Sequence, residues 1–146
     1  MFTITQPSER GLRELLDKWK DAPFSYRDVG ATRDGPVPTG YNIDRYRVKL
    51  GSGSEIFDAA KRAVQAWAMF DLEWVSIFPS TAVIQPGAVV AVVVAHFGFW
   101  SANLARVVYV DPQDAMFRFA YGTLGEHAES GEERFTVSTD QNGRLV

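Results

Sequence analysis

The sequence contains no cysteine, which excludes a disulfide framework, thiolate catalysis and cysteine-ligated zinc or iron–sulfur sites. It also lacks a basic excess, since 15 basic and 18 acidic residues give a net charge of -3. No basic stripe is visible, so nucleic acid is not expected as the main partner. The longest apolar run, from Ala88 to Ala95, is far shorter than the roughly 20 residues of a membrane helix. Because the start has no signal-peptide pattern, we expect a cytoplasmic location and no membrane span.

The composition is that of one globular domain. The length of 146 residues allows a single core that buries about two-thirds of the unfolded surface. Hydrophobic residues account for 46% and charged residues for 23%, which is typical of soluble proteins. Aromatic residues make up 13%. They serve both cores and ligand pockets, so their number alone does not indicate a function.

Three apolar runs dominate the middle of the chain. They extend from Ala88 to Phe97, from Leu104 to Val110 and from Met116 to Tyr121. Each has strand length and is rich in β-branched or aromatic residues. Gly98 and the segment Asp111–Asp114 separate them at hairpin spacing. The pattern predicts a three-stranded antiparallel meander.

Other segments flank this meander. Ser8 is suited to cap a helix in which Leu12, Leu15, Leu16 and Trp19 share one face. Residues 24–40, rich in Gly and Pro, predict a surface loop. A longer helix is predicted from Ser54 to Phe70, with Ser52 and Glu55 at capping-box spacing. Further predicted strands are Phe2–Ile4, Tyr41–Leu50, Leu72–Phe78 and Glu132–Thr139, and Asp140–Gly143 is a hairpin-turn signal.

These elements predict an α+β fold, a curved antiparallel sheet of about five to seven strands with one long helix packed on it. We interpret residues 1–146 as a single domain. Gly51-x-Gly53 has two glycines of a dinucleotide-binding turn, but Ile56 occupies the third position, so a tight turn before a helix is the favoured interpretation.

The sequence identifies no catalytic residue. His96 follows an apolar strand and His127 lies in a polar segment, and the pair lacks metal-ligand spacing, so no metal site is predicted. His96 is either a histidine bonded to backbone or a catalytic base. No serine lies in a G-x-S-x-G nucleophile elbow.

Arg106 is the charged residue that packing explains least. It alternates with Leu104, Val108 and Val110 on a predicted strand, and a charge on an apolar face must pair, reach water or bind a ligand. One hypothesis is that Arg106 meets Glu133 or Asp44 at a cavity; the alternative is an arginine on an exposed sheet face.

A helix over a sheet of this size leaves a concave space that is either filled or used for binding. Aromatic side chains would supply contact area there, and Arg106, His96 or Glu133 would orient a polar group. The candidate ligand-binding residues are Tyr46, Trp67, Trp74, His96, Trp100, Arg106, Tyr109, Tyr121 and Glu133.

Short motifs distributed over residues 20–139 carry a family resemblance. They include Phe24-Ser-Tyr26, Val29-Gly-Ala-Thr32, Asp44-Arg-Tyr-Arg47, Trp67-x-Met-Phe70, Phe119-Ala-Tyr-Gly-Thr123 and Gly131-Glu-Glu-Arg-Phe135. In these motifs the chain resembles an uncharacterised bacterial and plant family, a domain of unknown function (DUF1990). The resemblance implies no activity.

The order of strands, helix and meander is more distantly similar to the START-like helix-grip (SRPBCC) superfamily, whose members hold apolar ligands between a curved sheet and a C-terminal helix. That resemblance implies a further strand and helix that are absent from residues 1–146.

Three functions follow as hypotheses. The leading one is binding of a small hydrophobic or amphipathic ligand in the sheet–helix cavity. The second is an enzyme of unknown reaction that uses this cavity, with Glu133 or His96 as general acid or base. The third is a scaffold or dimerisation module whose exposed sheet edge and Trp100 region bind protein, with a homodimer formed through the exposed edge. No cofactor is predicted.

Overall fold

The computed structural model describes residues 1–125, 129–140 and 144–145. This part of the chain forms an α+β fold with a six-stranded antiparallel sheet, a two-stranded sheet and two α-helices, which confirms the predicted fold class. The strands are β1 (Phe2–Thr3), β2 (Gly51–Ser52), β3 (Val75–Phe78), β4 (Val89–His96), β5 (Phe99–Gln113), β6 (Met116–Thr123), β7 (Glu132–Ser138) and β8 (Arg144–Leu145). The large sheet has the order β3-β4-β5-β6-β7, with β1 beside β5, and β2 pairs with β8.

The predicted meander is confirmed as β4, β5 and β6, although β5 is longer than expected. It has 15 residues and begins at Phe99 rather than Leu104. Its first half pairs with β4 and its second half with β6, so the two ladders overlap only around Ala105 and Arg106. The strand also continues through Pro112 and Gln113, which places the turn at Asp114 and Ala115.

The large sheet has two covered faces. On the first, which we call the α2 face, Val90, Val92 and Phe119 form a core with Trp67. On the second, the α1 face, Ala91, Val93, Ala102 and Leu104 pack with Leu12. Neighbouring strand residues alternate between these faces. A register shift between Val107 and Tyr109 changes the alternation within β5, as a β-bulge does.

Helix α1 (Glu9–Trp19) forms as predicted. The Ser8 hydroxyl accepts a hydrogen bond from the Gly11 N–H at 3.1 Å and caps the first turn. Leu12 is buried against the α1 face, with Leu15 and Leu16 beside it. The apolar stripe at helical spacing therefore covers the sheet as expected.

Helix α2 (Ser54–Gln65) is shorter than the predicted Ser54–Phe70. Trp67 has a φ of 60°, in the left-handed region, which interrupts the helix before a 3-10 turn at Ala68–Phe70. The predicted capping box at Ser52 is also wrong. Gly53 occupies the N-cap with a φ of 99°, and Ser52 belongs to β2, where it pairs with Arg144.

The predicted strand Tyr41–Leu50 does not form. Residues 42–50 are exposed and without regular structure, and Tyr46 keeps 93% of its surface accessible. The end of the segment is held by the Leu50 N–H, which donates to the Leu145 carbonyl at 3.3 Å. Alternation alone does not produce a strand, because β-propensity depends on the neighbouring strand that supplies the ladder.

Two sequence predictions fall outside the described residues: the centre of the Asp140–Gly143 turn, and His127. Strand β7 confirms the prediction for Glu132–Thr139 to within one residue. Within the described ranges, no helix has both the length and the apolar character needed to cross a bilayer.

Candidate functional site

The nine candidate residues do not gather in one place. Trp67, His96, Tyr121 and Glu133 belong to the α2 face, whereas Trp100, Arg106 and Tyr109 belong to the α1 face. Trp74 lies in the turn before β3 and is 57% exposed, and Tyr46 lies in the exposed segment described above. Because the sheet separates its two faces, these residues cannot line a single cavity.

The middle of the α2 face is filled. Trp67 is 2% exposed and packs edge-on against Phe119, with ring centroids 5.4 Å apart. Its indole N–H donates to the Ala82 carbonyl at 2.8 Å. Tyr121 packs against Phe70 and Phe135, and its hydroxyl donates to Glu133. Burial and the neighbouring Glu133 carboxylate raise the pKa of Tyr121. Trp67 and Tyr121 therefore serve as core residues.

The hypothesis that Arg106 pairs with Glu133 or Asp44 is wrong. Arg106 is opposite Gly122, and Gly122 is opposite Glu132, so it is Glu132 that shares the face of Arg106. Asp44 lies in the exposed segment. The guanidinium of Arg106 donates to the Lys20 carbonyl at 3.0 Å and stacks over the Phe24 ring at 4.3 Å. A carbonyl and an aromatic ring thus accommodate the cation.

Glu132 is an acidic residue of the α1 face that sequence reasoning missed. Its carboxylate accepts hydrogen bonds from the Tyr26 hydroxyl (2.8 Å), the Gly30 N–H (2.6 Å), the Thr32 N–H (3.1 Å) and the Thr32 hydroxyl. Burial and the bond to Glu132 raise the pKa of Tyr26. The Tyr109 hydroxyl lies 3.0 Å from the Thr32 oxygen, and burial raises the pKa of Tyr109. One carboxylate thus fastens the loop 26–32 onto the sheet.

Ion pairs among Arg33, Asp34, Asp111 and Arg118 form a second set of contacts between the loop and the sheet. Asp111 accepts from Arg33 and, at 2.8 Å, from the Arg118 Nε. Arg118 also donates to Asp34 at 3.1 Å. Burial by itself would raise the pKa of Asp111, but the hydrogen bonds from Arg33 and Arg118 outweigh it and lower the pKa. Burial by itself would lower the pKa of Arg118, but its hydrogen bonds to Asp111 and Asp34 outweigh burial and raise the pKa. These groups are directed at one another, so we assign them a structural role.

The end of the α2 face near the β4–β5 turn has a different character. A hydrogen bond of 2.9 Å joins His96 Nε2 to the Ser101 hydroxyl, and the Asn103 amide donates to the same hydroxyl at 3.2 Å. The Phe99 ring stacks on His96 with centroids 4.4 Å apart and planes 9° apart. The Phe2 ring lies 6.0 Å from Phe99. We call these five residues the open end.

The hairpin geometry explains how these side chains meet. Gly98, with a φ of 83°, allows the tight turn between β4 and β5. His96 then pairs with Phe99, and Ser101 is its diagonal neighbour on the same face. Strand β1 places Phe2 opposite Ser101. The sequence analysis named His96 as a candidate but missed Ser101. Ser101 lies two residues after Phe99, the pairing partner of His96, so its proximity to His96 is predictable once the turn is known.

The open end combines polar groups with accessible aromatic surface. Phe2 is 62% exposed and Phe99 39% exposed, and His96 is also exposed, whereas Ser101 is buried. Among the described residues, no group of three or more His, Cys, Asp or Glu side chains has metal-binding geometry. The arrangement can hydrogen-bond a polar group and pack an apolar one beside it.

Two pockets in the described part of the chain contain none of the nine candidates. The larger, about 410 Å³, lies between the end of α2 and residues 80–84. The smaller, about 40 Å³, lies between α1 and β5 beside Met1. Neither corresponds to the cavity that the sequence predicts.

Comparison with known proteins gives a family. Residues 25–146 match a family model described as "Domain of unknown function (DUF1990)". A UPF0548 protein of Dictyostelium discoideum is 30% identical over 94% of this chain and 70% of its own length. A UPF0548 protein of Deinococcus radiodurans is 32% identical over 99% of this chain and 78% of its own length. A UPF0548 protein of Arabidopsis thaliana is 34% identical over 73% of this chain and 54% of its own length. No solved structure matches significantly, so the START-like resemblance stays a prediction.

Proposed function

Because the chain belongs to the DUF1990 family, whose description names no activity, we propose its function from the site: it binds a small amphipathic molecule at the open end. The observation that carries the proposal is the hydrogen-bonded row His96–Ser101–Asn103 beside the exposed rings of Phe2 and Phe99. The proposed ligand is of the class predicted from the sequence. The proposed binding place differs: it is the uncovered end of the α2 face rather than an enclosed cavity.

The aromatic rings supply the apolar part of the recognition. Phe2 and Phe99 expose 62% and 39% of their surface, which together is about one whole phenylalanine. Burying that much aromatic surface contributes about 2 kcal/mol. Since Phe99 is already stacked on His96, little side-chain entropy is lost when a ligand covers it.

The polar row defines the other half of the ligand. An asparagine amide has two N–H donors, and Asn103 directs one of them at Ser101. The second donor and the exposed edge of His96 suit an acceptor oxygen, such as that of a carboxylate, ester or alcohol. The ligand class is therefore an apolar chain or ring that ends in an oxygen acceptor.

An NMR titration with decanoic acid tests this proposal. We expect saturable amide shifts in β1 and the β4–β5 hairpin. Phe99→Ser should weaken binding about tenfold, because it removes roughly 1.4 kcal/mol of apolar contact. Tyr46→Ser is the matched control, since it removes an aromatic ring that is 93% exposed at another site. Equal loss in both variants, or shifts that do not saturate, would contradict the proposal.

The enzyme hypothesis is the second candidate, because His96 Nε2 and the Ser101 hydroxyl are 2.9 Å apart. That distance is the one at which a base activates a nucleophile. In an acyl transfer, the Ser101 oxygen would bond to the carbonyl carbon of an ester while His96 accepts the hydroxyl proton. His96 would return that proton to the departing alcohol, and water would then release the acyl group. Ser101→Ala should abolish turnover of a p-nitrophenyl ester; unchanged turnover would exclude this mechanism.

A further inference from the structure

The larger pocket is a second place where a ligand fits. It has a volume of about 410 Å³ and lies between Gln65 and Ala66, at the end of α2, and residues 80–84 of the β3–β4 connection. Ligand pockets in proteins occupy about 300–1,000 Å³. The pocket shares no residue with the open end, so the inference drawn from it does not rest on the function proposed above.

The walls of the pocket are anchored to the core. Trp67 directs its indole N–H to the Ala82 carbonyl at 2.8 Å, and the Ala82 N–H donates to the Pro79 carbonyl at 3.1 Å. Ala82 and Ile84 pack against the α2-face core. Because the connection is held at these points, the pocket exists before a ligand arrives, and little ordering free energy opposes binding.

The lining specifies an uncharged ligand. Its residues are Gln65, Ala66, Ser80, Thr81, Ala82, Val83 and Ile84, and none of these side chains is ionisable. Five of the seven lining residues are exposed, so the pocket is open on one side. A charged ligand would lose part of its hydration there and gain no counter-charge from the lining. Two hydroxyls and one amide supply hydrogen bonds, and the aliphatic residues supply apolar contact. We infer that this pocket binds a small neutral molecule with an apolar body and one hydrogen-bonding group, such as an alcohol or amide.

A matched set of probes tests the inference: 2-phenylethanol, phenylacetate and 2-phenylethylammonium. These share one apolar ring and differ in charge. In an NMR titration of the whole chain, we expect 2-phenylethanol to shift the amides of residues 65–66 and 80–84 saturably. The two ions should bind this site more weakly, because each loses part of its hydration and gains no counter-charge from the lining. Equal affinity of the three probes would overturn the inference.

Variants then locate the binding. Ala66→Trp and Thr81→Trp should each fill the pocket and remove the 2-phenylethanol shifts there, while any shifts in β1 and the β4–β5 hairpin remain. Val37→Trp, at an exposed valine outside the pocket, is the control and should bind normally. Thr81→Val keeps the side-chain shape, loses the hydroxyl, and should weaken binding by about fivefold, equivalent to one ordinary hydrogen bond. Full binding by both tryptophan variants would refute the assignment.

Discussion

At the scale of single residues, Glu132 is a side chain with several hydrogen-bond partners, and it lies on the opposite face from the open end. Its carboxylate receives four hydrogen bonds from the loop 26–32. A carboxylate suits this position because both of its oxygens act only as acceptors, whereas a carboxamide presents an NH₂ group to donors. The side chain thus explains why a loop without regular structure is attached to the sheet.

We expect Glu132→Gln to lower the free energy of unfolding by about 2 kcal/mol, since hydrogen bonds to a charged acceptor are lost and donors are left facing an amide. Urea denaturation measures the change. Glu133→Gln is the matched control: it is the next residue, on the other face, and its described side-chain hydrogen bond comes from Tyr121. We expect it to cost about 1 kcal/mol or less. A larger effect at Glu133 than at Glu132 would refute this assignment.

Asp111 gives a second prediction, for the dependence of stability on pH. Its pKa is lowered below the ordinary value of 3.8 by the hydrogen bonds from Arg33 and Arg118. A carboxyl group with a depressed folded-state pKa stabilises the fold above its unfolded pKa, and that contribution is lost as the pH falls through the folded value. Asp111→Asn should therefore reduce stability at pH 7 and flatten the decline below pH 4. Chemical denaturation between pH 2 and 7 checks this, with Asp114→Asn, an exposed carboxylate, as the control.

At the scale of elements, the attachment of the loop depends on a glycine in β6. A Cβ at Gly122 would lie 2.0 Å from the Tyr26 hydroxyl oxygen, far inside van der Waals contact. The absence of a side chain at this one strand position is what allows Tyr26 to approach Glu132.

Gly122→Ala should therefore displace Tyr26 and lower stability by about 1–3 kcal/mol, the usual cost of overpacking. A double-mutant cycle isolates the cause. In a Tyr26→Ala background the same substitution should cost little, because the clash has been removed. An undiminished cost in that background would show that β6, rather than the loop, rejects the extra methyl group.

The elements differ in how far the sequence predicted them. The meander was predictable because β-branched residues, aromatic residues and breakers agree there, and α1 because its cap and apolar stripe agree. Tyr41–Leu50 has equally clear alternation but forms no strand, since no neighbouring strand completes its ladder. The start of β5 was missed because Phe99-Trp-Ser-Ala-Asn103 lacks a consistent pattern. Only its pairing with β4 makes it a strand.

The same distinction applies to the candidate site. His96 was recognisable as a residue that packing did not explain. Its contact with Ser101 required the register of the hairpin. The contacts of Glu132 join residues 100 or more positions apart, and no local pattern contains that information. The side taken by Tyr109 depends on the bulge near Val107, which places Tyr109 on the same face as Arg106 although three positions separate them.

At the scale of the whole molecule, one group of exposed apolar side chains lies at the end of the sheet near the β4–β5 turn. They include Ile4 at 87%, Phe97 fully accessible, and Phe2 and Phe99 as above. Monomeric proteins rarely expose such groups together unless they bind something. We propose this surface, rather than a strand edge, as the place at which to test the predicted homodimer.

We expect the chain to self-associate weakly at high concentration through this end. Phe97→Ser should reduce the association, because it removes the most exposed ring, while Tyr46→Ser should not. Size-exclusion chromatography with light scattering over a concentration series measures the effect. A constant monomer mass at all concentrations, or equal effects of the two variants, would contradict dimerisation at this surface.

Strand β5 has a consequence for how the fold opens. It pairs with β1, β4 and β6, so its central amides are released only when most of the large sheet separates. Strands β2 and β8 are two residues long and form a separate two-stranded sheet, to which an isolated bridge between Leu145 and Thr139 adds one further contact. Amide hydrogen exchange should therefore divide into two classes. The exchange protection of the Val107 amide should report the global free energy of unfolding. The protection of the Ser52 amide should report the smaller free energy of a local opening.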